Sequence, residues 1–207
     1  MIFMIAIVNY GVGNLFSLAS SLTAIGQTAV VTSNPDDLAK ADRIILPGVG
    51  AFGDAAQKLS SSGLAKPLIS EAHNGKPILG ICLGMQLLFT KSYEFGEFDG
   101  LNLIPGEVRP IRDVIPGGLK IPQMGWNALH FTNPSGIYAT THEGEYVYFV
   151  HSYAAFCPPE YITATTNYGA DLTASVQNGN IYGVQYHPEK SGNAGLEILR
   201  SFCEVKA

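Results

Sequence analysis

This sequence has no basic cluster, no C-x-x-C pair, no long apolar run and only one tryptophan. Without a basic patch it lacks the electrostatic footprint of a nucleic-acid surface; 12 Lys and Arg stand against 17 Asp and Glu, for a net charge of −5. Three widely spaced cysteines, Cys82, Cys157 and Cys203, are too few and too odd in number for a disulfide framework. They read as reduced thiols in a reducing compartment. None of the five histidines has a second ligand-type residue at a usual zinc spacing, so no metal is expected. No run approaches the ~18 apolar residues of a membrane span. The apolar stretch Met1–Val8 has no basic flank and no small-residue cleavage site, and Asn9-Tyr10-Gly11 closes it, so it reads as a buried strand rather than a signal peptide. The expectation is a cytoplasmic protein with neither membrane nor nucleic-acid partners. At 207 residues the chain suits one domain, 1–207, with a core that needs no disulfide or metal.

The most informative stretch is Gly80-Ile81-Cys82-Leu83-Gly84. An apolar run with the length of a buried strand (Lys76–Ile81) enters it, and helix formers from Leu83 to Phe89 leave it. A cysteine between two glycines, where strand turns into helix, fits the nucleophile-elbow pattern. A following helix directs N–H groups and its dipole at the sulfur, favouring thiolate.

The first ninety residues alternate strand and helix. Strands are expected at Phe3–Val8, Thr28–Thr32, Arg43–Leu46 and the Cys82 run. Between them, Leu15, Leu18, Ala19, Leu22 and Ile25 form a helical stripe after Asn14. Asn34-Pro35 opens a short helix, and helices are expected near Gly53–Leu59 and Leu64–His73. Pro47–Gly50 reads as a turn. This order implies an α/β, doubly wound, mostly parallel sheet with helices on both faces. Ligands in such sheets bind beyond the carboxyl ends of the strands. The second half is rich in Gly, Pro, Thr and Tyr, with short β-like runs at Gly106–Ile111, Ala128–Phe131, Tyr146–Val150, Ile162–Thr166, Thr173–Gln177 and Ile181–Gln185. These predict additional antiparallel strands. An amphipathic helix from Asn193 to about Val205, with Leu196, Leu199 and Phe202 inward, closes the chain.

Gly48-Val49-Gly50-Ala51-Phe52-Gly53 fits G-x-G-x-x-G, but it follows the third strand, and the acidic residue about 20 positions on, Glu71, lies in a helix. No nucleotide or other cofactor is expected. A glycine turn exposing N–H groups near Cys82 suits an oxyanion hole instead. Gly183–Ser191 supplies a base: His187 ends a strand-like run and Pro188 keeps it extended. Residues i and i+2 then share a side, so Glu189 can orient the imidazole towards Cys82. His73, His130 and His142 read as surface residues, and His151 as either a satisfied polar group or part of a site wall.

Together these motifs resemble the class I (triad) glutamine amidotransferases. The similarity spans nearly the whole chain: Asn9–Asn14, Pro47–Phe52, Gly80–Phe89, Pro122–Asn127, Phe149–Tyr153 and Gly183–Ser191. The Asn9–Asn14 opening, Met124-Gly125-Trp126-Asn127 and the His187–Ser191 ending favour the glutaminases of histidine biosynthesis over relatives in anthranilate, guanylate or pyridoxal phosphate synthesis. The resemblance implies hydrolysis of L-glutamine by Cys82 as nucleophile, His187 as base and acid, and Glu189 as orienter. It implies oxyanion donors in the N–H groups of Val49 and Leu83, and glutamine held by Gly48, Gly50, Gln86, Glu94, Ser152 and Tyr153. It also implies a heterodimer with a synthase (cyclase) subunit of (β/α)₈ fold, and Asn14, Trp126 and Lys190, which belong to the subunit-specific motifs, are placed at that interface. The alternatives are a nucleotide-binding flavodoxin-like module, a cysteine peptidase or thioesterase, and a glutaminase serving another synthase.

Overall fold

A computed structural model describes residues 3–205; Met1 and Ile2 of the first apolar run lie outside the described residues. The first half alternates as the pattern implies: β1 (Met4–Val8), α1 (Leu15–Ala24), β2 (Thr28–Thr32), α2 (Pro35–Lys40), β3 (Arg43–Gly48), α3 (Phe52–Ser61), α4 (Ala65–His73), β4 (Ile78–Cys82) and α5 (Leu83–Leu87). Asn34 caps α2 by accepting the Asp36 N–H, with Pro35 in the first helical turn. Asn14 precedes α1 without a side-chain cap. The chain continues with β5 (Phe89–Ser92), β6 (Phe98–Asp99), β7 (Ile104–Pro110), β8 (Gln123–Ala128), β9 (His130–Phe131), β10 (Tyr146–His151), β11 (Tyr153–Phe156), β12 (Ile162–Asn167), β13 (Asp171–Asn178), β14 (Ile181–Val184) and α6 (Gly192–Glu204).

The main sheet runs β2-β1-β3-β4-β14-β13-β12-β9. Its members from β2 to β14 are parallel, and β13, β12 and β9 continue it antiparallel. Period-two alternation puts Ala6, Val8, Ile44 and Leu46 on one face, against the helices α2 to α4. Ile5, Ile7, Ile45, Leu79 and Ile81 lie on the other, against Leu18 and Leu22 of α1 and Ile198 and Phe202 of α6. Both faces are covered, as a doubly wound sheet requires. Two smaller sheets, β10-β8 and β11-β7-β5-β6, flank the main one.

Several expectations need correction. β3 runs through Pro47 and Gly48, so the turn begins only at Val49. The helix expected over 83–89 ends at Leu87, because Leu87 and Leu88 carbonyls accept N–H groups from Leu101, Leu103 and Ile104 and Phe89 enters a sheet. β14, expected among antiparallel strands, pairs parallel with β4 in the sheet centre. The run expected over 128–131 divides between β8 and β9. In α6, Leu196 is only half-buried, and Ile198 takes its place in the core.

Candidate active site

Three adjacent parallel strands deliver the expected residues to one edge. Gly48 of β3 is level with Cys82 of β4, and Val184 of β14 with Ile81. Continuing that register puts Gln185 level with Cys82 and His187 just beyond. Cys82 has φ 55° and ψ −113°, a conformation that an L-residue occupies only under constraint. The constraint is visible in the glycines. A Cβ on Gly84 would lie 1.8 Å from the Leu46 carbonyl oxygen, and one on Gly80 2.6 Å from the Gly84 oxygen. The elbow is thus clamped between β3 and the start of α5. With only five residues, α5 contributes little dipole to Cys82.

His187 is extended (φ −102°, ψ 97°), as Pro188 dictates. Its Nδ1 lies 2.9 Å from Glu189 Oε1, and both side chains are buried. Burial alone would lower the imidazole pKa, but the hydrogen bonds and negative charge of Cys82 and Glu189 overcome it and raise it to about 9. Glu189 Oε2 is buried with no hydrogen-bond partner among the described residues. Cys157 and Cys203 lack such a setting: burial pushes them to about 11 and about 12, respectively.

A cavity of about 210 Å³ opens beside Cys82 and His187, lined by Val49, Gly50, Leu83, Gln86, Glu94, His151, Ser152 and Tyr153 among others. Gly50 reaches it in a left-handed conformation (φ +99°). Gly48 does not line it; it lies buried in β3, where a Cβ would meet the Gly84 nitrogen at 2.7 Å. Gly53 faces the ring of Phe98, so the third glycine of the loop serves packing and not a phosphate. Glu94 accepts the Phe52 N–H at 2.7 Å, and burial raises its pKa. Gln86 donates to the Tyr153 carbonyl (3.1 Å) and to Gln185 Oε1 (2.9 Å). Both its N–H donors are therefore engaged inside the protein, which leaves it none for a substrate carboxylate.

His151 resolves as a wall residue. Its Nδ1 is bonded to the Tyr153 carbonyl at 2.8 Å, and burial drags its pKa down to about 4. It stays neutral while His187 is charged. Gln185 was not singled out from sequence. It is fully buried, and its Nε2 lies 3.7 Å from Cys82 Sγ; the signal was its place two residues before His187, just past the end of β14.

On the far side of the imidazole, Asn14 shares a narrow crevice with His187 and Glu189. Trp126 is 52% exposed, which excludes a core role. It meets Tyr148 edge-on, and Lys190 Nζ lies 5.8 Å from the Tyr148 ring centroid. The Tyr148 carbonyl accepts the main-chain N–H of His187, so this rim is one residue from His187. A larger groove of about 690 Å³, lined by Arg109, Phe156 and Leu172 among others, includes no member of the Cys82–His187–Glu189 group. Among the described residues no cluster of His, Cys, Asp and Glu is suited to a metal, and no helix is long and apolar enough to cross a membrane.

The chain matches the family described as Glutamine amidotransferase class-I over residues 6–205. It is 47% identical to the imidazole glycerol phosphate synthase subunit HisH of Wolinella succinogenes, over 98% of this chain and 100% of the relative. To the protein of the same name from Methanothermobacter thermautotrophicus it is 50% identical, over 98% of each chain. A crystal structure of a glutamine amidotransferase superposes with a TM-score of 0.75 at 16% identity, covering 96% of this chain and 97% of the other. That last likeness is one of fold.

Proposed function

The chain belongs to the class I glutamine amidotransferase family, and from that premise we propose that it is the glutaminase subunit of an imidazole glycerol phosphate synthase. It hydrolyses L-glutamine to L-glutamate and ammonia. The ammonia serves a synthase subunit that forms imidazole glycerol phosphate and aminoimidazole carboxamide ribotide in L-histidine biosynthesis. The observation that carries the reading is the line from Cys82 through His187 to Glu189, with the imidazole 2.9 Å from the carboxylate.

The chemistry follows from that line. Cys82 Sγ attacks the carboxamide carbon, and the negative charge on its oxygen falls to the N–H groups of Val49 and Leu83. The C–N bond breaks as protonated His187 gives its proton to the departing nitrogen, releasing ammonia and leaving a glutamyl thioester. His187, now neutral, takes a proton from water as that water attacks the thioester. The C–S bond then breaks, glutamate leaves and the thiolate–imidazolium pair is restored.

In the cavity, Glu94 suits the substrate ammonium. Its carboxylate is half-buried and has no cation partner among the described residues, and burial raises its pKa, a strain that a bound ammonium relieves. With the Gln86 donors engaged, the α-carboxylate falls to main-chain N–H groups around Ser152 and Tyr153 and in the Gly50 turn. The synthase subunit, of (β/α)₈ fold, docks over Asn14, Trp126 and Lys190 to form the heterodimer, where ammonia is handed over without meeting bulk water. The proposed setting is the cytoplasm, which keeps the nucleophile reduced; all three cysteines are free thiols.

The test is glutamate release from glutamine by the chain alone and with its synthase subunit. Release that rises when the synthase is added supports the reading. No release in either case, or activation only by the synthase of another pathway, overturns it.

A further inference from the structure

Cys82 sits in a place that calls for more than a histidine. It is buried, and the helix behind it is too short to supply much field. A chain of amides ends on its sulfur. The Tyr153 carbonyl can only accept, so the Gln86 group facing it at 3.1 Å must be the NH₂. The same NH₂ faces Gln185 at 2.9 Å, which fixes the Gln185 atom there as oxygen. The Gln185 NH₂ is thereby turned to Cys82 Sγ, at 3.7 Å. Each amide orientation is forced by the one before it, and the first is anchored on main chain that also accepts from His151. Gln185 is fully buried, so water cannot compete for the sulfur from that side.

We infer that Gln185 is a positioning residue for the nucleophile: held by Gln86, its amide donates a hydrogen bond to Cys82 Sγ and favours the thiolate, a second contact on the sulfur beside that of His187. This rests on Cys82 being the nucleophile of the reading above. It also gives Gln86 a task in the free enzyme, upstream of any contact with glutamine. A hydrogen bond to a charged acceptor is the stronger kind, and its loss withdraws support from the ionised sulfur alone. The thiol form, a weak acceptor, is little affected.

The experiment is alkylation of the free subunit by iodoacetamide across pH, with the adduct on the Cys82 peptide followed by mass spectrometry. In Gln185→Met, which keeps the shape and removes the N–H, the Cys82 rate should fall about tenfold near neutral pH, the effect of one charge-assisted hydrogen bond. The deficit should vanish at alkaline pH, where the thiol ionises without help. Gln86→Met should give the same pattern more weakly, because the Gln185 amide is then free to turn. An unchanged rate at neutral pH, or one slowed by the same factor at every pH, overturns the inference; the second result means altered access. If Gln185→Met does not fold, as judged by circular dichroism, Gln86→Met alone decides by the same two criteria. The readout needs no glutamine, so failure of the glutaminase reading shows separately, as wild-type protein that alkylates normally but releases no glutamate.

Discussion

The carboxyl edge of β3, β4 and β14 and the rim around Trp126 lie one residue apart and are built on opposite terms. At the edge, Cys82 is 7% exposed, His187 2% and Gln185 0%, and each is locked by strand register or by a glycine that admits no Cβ. At the rim, Trp126, Met124 and Tyr146 stand 52%, 63% and 59% exposed on β8 and β10, a two-stranded ribbon. The proposed chemistry is organised within the subunit, while the apolar rim is the surface proposed for the partner. The Tyr148 carbonyl joins the two through the His187 N–H.

The contrast is broken most directly at Cys82, the proposed nucleophile. Cys82→Ser should cut glutamine turnover by about 10⁴-fold or more, with the fold and synthase binding intact. An electrophilic glutamine analogue should label Cys82 only, because burial keeps Cys157 and Cys203 protonated; an adduct mapped to either would refute this.

Next comes His187, the proposed base. His187→Ala should cost about 10²-fold or more in turnover, and Glu189→Gln less, since it spoils charge and orientation but leaves the proton carrier. The imidazole pKa of about 9 should fall in Glu189→Gln, read by NMR titration. The stability sign follows. A folded value raised from 6.5 to about 9 gives stabilisation that is full below 6.5 and lost as pH rises through 9. Glu189→Gln should therefore destabilise more near pH 6 than near pH 10.

Architecture separates the regions too. Gly84→Ala, which sets a methyl against the Leu46 carbonyl, should cost about 3 kcal/mol in urea unfolding. Gly117→Ala, in open space on a loop, should stay within about 0.5 kcal/mol. Equal effects would mean the elbow is not clamped. Glu94→Gln should raise KM for glutamine about tenfold with kcat nearly unchanged, one ion pair being lost; a loss in kcat alone would move Glu94 out of the binding role.

These two regions were unequally legible in the sequence. The edge was readable because parallel strands covered on both faces leave continuous apolar runs, Pro188 fixes the backbone at His187, and glycines bracket Cys82. At the rim, the strand at Tyr146–Val150 was readable and β8 was not. β8 alternates, but it buries Gln123 and carries Met124 and Trp126 outward, with Gly125 between them at φ +137°, so its pattern is the inverse of a core-facing strand. β11 and β5 are four residues each, too short to show a period. The Gln86–Gln185 pairing spans 99 positions and exists only because β14 lies beside β4. A strand order of that kind is invisible to local pattern.

Trp126 gives the smallest effect on the free protein and the finest test of the comparison. Its side chain touches Tyr148 and solvent, so Trp126→Ala and Lys190→Ala should change the unfolding free energy of the isolated subunit by no more than about 0.5 kcal/mol. Their effect should appear in the complex, as weaker assembly or as weaker activation of hydrolysis on assembly. Because Trp126 is the only tryptophan, its fluorescence reports the rim without interference. Half-exposed in the free subunit, it should emit at a solvent-like wavelength, and should shift to the blue and resist acrylamide quenching when a tryptophan-free synthase subunit is added. Emission already at the buried extreme, or unmoved by a synthase that demonstrably binds, would place the docking face elsewhere and leave the edge without a partner above it.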